Sequence, residues 1–112
     1  MQSNNRSVAL IEPAAGNVDA AFQRATLKRY AESHHFEISH FCGDRAPLAG
    51  AAGNPEHKNL INEIRGGAVG RLLILADVRH AVPEEVLEEC RKAGVEVIFV
   101  DVQQERGLTQ TT

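Results

Sequence analysis

The chain has no apolar run approaching the ~20 residues that a membrane-spanning helix needs, so no membrane association is expected. It also has no excess of positive charge: 12 Lys and Arg stand against 15 Asp and Glu, a formal net charge of -3. That balance excludes a general electrostatic grip on nucleic acid, which requires several phosphates to be neutralised by basic side chains; only a local basic patch is compatible with it. Cysteine is scarce. Cys42 and Cys90 are far apart and follow no metal-binding spacing, so reduced thiols are expected. The opening Met1 to Ser7 is polar and lacks the charged start and apolar stretch of a secretory leader, which makes the cytoplasm the expected compartment. No internal repeat is present.

What is present is ordinary for a soluble globular protein, with 24% charged and 43% hydrophobic residues. A length of 112 residues fits one domain, 1–112, long enough to bury a core over about 7–101 and ending in a polar tail, 103–112, with no hydrophobic face to dock. Apolar runs at Val8–Ile11, Phe36–Phe41, Leu72–Leu75 and Val95–Val100 alternate with three amphipathic segments. Strict alternation of strands and helices favours parallel pairing, because each crossover must pass over a face of the sheet. The expected fold is a three-layer α/β sandwich with a four-stranded, mainly parallel sheet.

The individual elements follow from local signals. The first strand ends at Glu12-Pro13, since proline removes a ladder donor. Asn17 is placed to cap a helix running to His34, whose inward face would comprise Phe22, Leu27, Tyr30 and Ala31 with Ala20 or Ala21. Phe36–Phe41 alternates in polarity and predicts an edge strand, whereas Leu72–Leu75 is continuously apolar and predicts the sheet centre. Between them, Asp44 to His57 is rich in Ala, Gly and Pro and reads as a mobile loop. The second helix, Glu56–Arg65, turns Leu60, Ile61 and Ile64 inward and stops at Gly66-Gly67. The third starts at Pro83, has Glu84 and Glu85 near the positive end of its dipole, turns Val86, Leu87, Cys90 and Ala93 inward, and closes at Gly94.

The order and spacing of single residues resemble the catalytic domain of serine recombinases, the resolvase and invertase family. Gln23, Leu27, Tyr30-Ala31, Phe36-Glu37-Ile38, Phe41 and Asp44 resemble the family's first helix and second strand. Ala49-Gly50 and Asn54-Pro55 stand where the family has Ser-Gly and Arg-Pro, ahead of Leu60-Ile61, Ile64, Gly67 and Val69, and Leu72–Arg79 resembles its third strand. Together these cover roughly 7–101 and imply a flavodoxin-like, resolvase-type fold. The family attacks a DNA phosphate with a serine hydroxyl while arginines stabilise the developing charge. Here the position matching the serine is Ala15, or Ala14 with a one-residue shift, and neither can attack. Pro13 and Asn54 stand at two family arginines. A gapless match after Val69 puts Val78 on an aspartate, Arg79 on a retained arginine and Val82 on the last arginine; sliding by one recovers Asp77 and loses Arg79. The third helix reads about one turn shorter than the family's, and the short polar tail is expected in place of the dimer helix and helix-turn-helix domain that follow in the family. The resemblance therefore implies the fold without the catalytic residues, and no strong DNA binding is expected.

Three functional readings remain. The leading one is a catalytically inactive, resolvase-like domain acting as an accessory or regulatory module through a protein partner. The second is a small-molecule or nucleotide site at the carboxyl ends of the strands, where open α/β sheets hold ligands, with Asp77, Arg79 and the Ala14–Asn17 turn as its residues and Gln23 as a further remnant of the family's site. The last is residual DNA cleavage through another hydroxyl such as Ser7 or Ser39, which stand before the first strand and in the second. His40, Cys42 and Asp44 alternate along one strand edge and are all capable of binding a transition metal, but structural zinc normally takes four ligands in tighter motifs, so an edge strand is the simpler account. Neither a metal nor a cofactor is expected. His34-His35 complements the dipole at a helix end, and Cys90 is expected in the core, where burial quiets a thiol.

Overall fold

Four strands, β1 (Ser7–Leu10), β2 (Ile38–Cys42), β3 (Arg71–Leu75) and β4 (Glu96–Val100), alternate with helices α1 (Ala20–Ser33), α2 (Pro55–Arg65) and α3 (Glu84–Ala93), and a 3-10 segment, Ala76–Ala81, follows β3. These elements come from a computed structural model that describes residues 6–12, 19–43 and 55–101. Every strand pairing is parallel and the order is β2-β1-β3-β4. The chain steps from β1 outward to β2, then returns across β1 to β3 and on to β4. Right-handed crossovers then put α1 on one face of the sheet and α2 and α3 together on the other, and α2 and α3 do pack against each other. The sequence-based expectation of a three-layer α/β sandwich is met, with a sheet that is parallel throughout.

Burial explains the order. Val8, Ala9, Leu10 and Ile11, and likewise Leu72 to Leu75, are completely shielded from solvent, as central strands covered on both faces must be. The outer strands β2 and β4 retain partly exposed positions. The pairing of β1 with β2 is irregular: Ser7 lies opposite Ile38 and Val8 opposite His40, so one residue of β2 is passed over. After that shift His40 and Cys42 stand beside Val8 and Leu10.

Two expectations about α1 are corrected. Asn17 lies outside the described residues, and the cap is Asp19, whose Oδ1 accepts a hydrogen bond from the Phe22 amide at 2.8 Å. Phe22 does not face the sheet; it is 41% exposed, while Gln23, Thr26, Leu27 and Ala31 are buried. Neighbours on a helix point about 100° apart, and here the inward place is taken by Gln23 rather than Phe22. The segment 44–54 lies outside the described residues, and 55–57 are helical rather than loop. In α3, Val86 and Cys90 are buried as expected, Leu87 is partly so, and Ala93 is exposed at the end of the helix. Burial pushes the Cys90 thiol up to about 11. Gly94 closes the helix at φ 75. Among the described residues no helix is long and apolar enough to cross a membrane.

Glu89 joins α3 to α2. Its carboxylate, nearly buried, accepts from Arg65 Nη2 at 2.9 Å, with Lys92 Nζ at 3.9 Å. The Arg65 hydrogen bond holds Glu89 below the ordinary value of 4.5, against the opposing effect of burial. A carboxylate whose value is lowered on folding stabilises the fold above its unfolded value and loses that contribution as pH falls through the folded value. The stability difference between wild type and Glu89→Gln, measured by urea unfolding, should therefore be present at neutral pH and shrink once the pH falls below about 4.5.

Candidate functional site

The strand order reverses between β1 and β3, and in open α/β sheets the crevice outside the carboxyl ends at that point is the place where ligands bind. Here β1 runs, fully buried, into Ile11 and Glu12. The Ile11 amide still donates to the Cys42 carbonyl at 2.7 Å, extending the ladder. Glu12 has no strand partner of that kind, and a side chain replaces it: the Glu12 amide donates to Gln23 Oε1 at 2.8 Å, and Gln23 Nε2 donates to the Glu12 carbonyl at 3.0 Å. An amide side chain can mimic a strand edge in this way because it carries one acceptor and a donor pair side by side.

The Glu12 carboxylate is itself shielded, with a side chain 5% exposed, and lies 2.7 Å from Nε2 of His57 on α2. An ionised carboxylate only accepts, so Nε2 carries the hydrogen in that form. The neighbouring Glu56 turns the other way and accepts from the Gly43 amide at 2.6 Å. Gly43, at φ 80, ends β2, and a β-carbon there would lie 2.2 Å from the Ile11 carbonyl oxygen, so the close approach of the two strand ends requires glycine. Farther back on β2, His40 Nε2 is 3.1 Å from Glu63 Oε1, and the donor atoms of His40, Cys42 and Glu63 all lie within 4.8 Å of one another. Burial, with Glu63 and Glu56 nearby, pushes the Cys42 thiol up to about 12.

The structure distributes the sequence-derived candidates over different environments. Gln23 is fully buried with its amide on the Glu12 backbone. Asp77 and Arg79 are exposed on the 3-10 segment beyond β3, and the Arg79 guanidinium stacks 4.7 Å over the Phe99 ring of β4. Val78 and Val82 between and after them are buried in the core. Pro13, Ala14, Ala15, Asp44 and Asn54 lie outside the described residues. A groove of about 440 Å³ lined by Arg6, Glu37, Ile38 and Ser39 lies at the amino ends of β1 and β2, the opposite end of the sheet. Sequence reasoning missed Glu12, His57 and Glu63. An acid directly after a wholly apolar strand marks Glu12 as needing a partner, but the separations to His57 and Glu63 leave no local signal.

Among solved structures the chain is similar to the C-terminal catalytic domain of ISC1926 TnpA, an IS607-like serine recombinase, with a TM-score of 0.64 and 19% identity over 94% of this chain and 77% of that one. The fold is that of a serine recombinase catalytic domain. No family model matches the sequence, and no curated protein matches it either.

The Glu12–Gln23 pairing makes a direct prediction. Gln23→Leu, similar in bulk, leaves the buried amide and carbonyl of Glu12 without their partner, and each such group costs about 1–3 kcal/mol. Denaturant titration should show the variant destabilised by at least ~1 kcal/mol; an unchanged midpoint would show that the pairing contributes nothing.

Proposed function

We propose that this chain is a catalytically inactive domain of the serine-recombinase type that acts as an accessory or regulatory module through protein contact. The observation that carries the reading is the chemistry at the end of β1. Phosphoryl transfer needs a nucleophile and fixed cations around the phosphate oxygens. Among the described residues, the polar group at this strand end is a carboxylate, Glu12, tied to His57 and braced by Gln23, and an ionised carboxylate disfavours a phosphate beside it. The residues matching the family's serine in sequence are alanines. Arg79, a match for one family arginine, lies over Phe99, and Val78 and Val82 are core residues.

The purified chain, incubated with supercoiled plasmid, should give neither nicked product nor covalent protein–DNA adduct, and Ala15→Ser should not restore either, since a hydroxyl alone lacks the cations. Nicking that disappears on Arg79→Ala would overturn the inactive reading. Affinity capture of the tagged chain from its native host should yield a stoichiometric protein. A nucleotide or other small molecule co-purifying in place of a protein would favour ligand binding at the strand ends instead.

A further inference from the structure

A second group of chemistry-bearing side chains lies between β2 and α2, separate from the contact made by Glu12. His40 and Cys42 are two apart on a strand, so their side chains leave the same face, and that face is covered by α2, which brings Glu63 to within 3.1 Å of His40. A partly exposed His–Glu contact needs no further explanation and contributes little by itself. What it leaves unexplained is the buried thiol of Cys42 within 4.8 Å of both. Imidazole nitrogen, thiol sulfur and carboxylate oxygen form the donor set that suits a borderline-soft divalent ion, zinc above all.

We propose that His40, Cys42 and Glu63 form a binding site for a single thiophilic divalent cation, zinc or an ion of like chemistry, which clamps the edge strand β2 to α2.

Ligand bonds of about 2.0–2.3 Å place donor atoms on a tetrahedral ion roughly 3.3–3.8 Å apart. Separations of at most 4.8 Å therefore close by roughly 1–1.5 Å at most, within reach of side-chain rotation. His40 and Glu63 are 40% and 36% exposed, which leaves a route for the ion and a fourth position for water. Charge also balances: a divalent cation meets one thiolate and one carboxylate with a neutral imidazole. Cys42 gives up its proton to solvent as the metal–sulfur bond forms, and no oxidation or reduction is involved. The two nearby carboxylates that disfavour the free thiolate favour a cation at the same place, and a bound cation reverses the balance for the sulfur.

The test uses the full chain, stripped of metal with chelator and titrated with cobalt(II) as a spectroscopic probe and then with zinc in competition. The expected result is one equivalent of cobalt with thiolate-to-metal charge-transfer absorption and the intense visible bands of a four-coordinate ion, displaced by zinc. Cys42→Ser should abolish the charge-transfer band, and Cys90→Ala should leave it in place. His40→Ala and Glu63→Gln should weaken zinc binding by more than the roughly 10–100-fold that losing a hydrogen-bond partner of a ligand costs. Both change partly exposed side chains and so test the site even where Cys42→Ser fails to fold. Absence of the band from wild type, its survival in Cys42→Ser, or unaltered zinc affinity in Glu63→Gln would each overturn the proposal.

Discussion

The structure depends on how a fully buried strand is allowed to end. β1 lies at the sheet centre, so the backbone groups that follow it emerge between two layers of helices and cannot reach water. The next residue is also an acid, which cannot be left buried alone. Both requirements are met by helices of opposite faces: α1 supplies the Gln23 amide to the Glu12 backbone, and α2 supplies His57 to its carboxylate. One residue thus ties both outer layers to the central strand. The orientation of α1 follows from it, since the helix must turn Gln23 inward, and Phe22 is carried to the outside as a consequence.

That arrangement bears directly on function. A phosphoryl-transfer site holds its cations in place before substrate arrives, because their field must be aimed at charge that develops only in the transition state. Among the described residues, the group at the end of β1 is the Glu12 carboxylate, engaged with His57. The fold is shared with a serine recombinase catalytic domain at 19% identity, a level at which scaffold geometry persists through its apolar core while polar residues at strand ends are free to differ. Fold and chemistry must then be argued separately: the core of β1 and β3 supports the first, and Glu12, Gln23 and His57 bear on the second.

The architecture was legible in the sequence because it is written in local periodicity. The continuous run Leu72–Leu75 marked a central strand and the mixed pattern of 36–41 an edge, and Gly94 marked the end of α3. The polar positions were not legible, since their partners are distant in the chain. The pairing of Gln23 with the Glu12 backbone has no local signal, because only the strand end opposite it decides. Phe22 was misplaced for the same reason, as its apolar character outweighed that of Gln23 in any count of periodicity. His40 and Cys42 stood out by alternation, but Glu63 is brought in by the α2 crossover, which no spacing along β2 contains.

α2 is where these separate features meet. Within its three turns Glu56 holds the end of β2 through the Gly43 amide, His57 holds the end of β1, Glu63 meets His40 on β2, and Arg65 meets Glu89 on α3. Its apolar positions, Leu60, Ile61 and Ile64, are buried and would fix only that the helix lies on the sheet. Hydrophobic burial is non-directional, so it leaves rotation and sliding of the helix weakly determined, whereas hydrogen bonds near 3 Å tolerate little displacement. The shielded contact of His57 with Glu12 and the Glu56 bond to the Gly43 amide therefore fix the register of α2 against the ends of two strands. A cation held by His40, Cys42 and Glu63 would act on this same register, stiffening the contact between β2 and α2 and, through the rigid helix, the position of His57 beside Glu12.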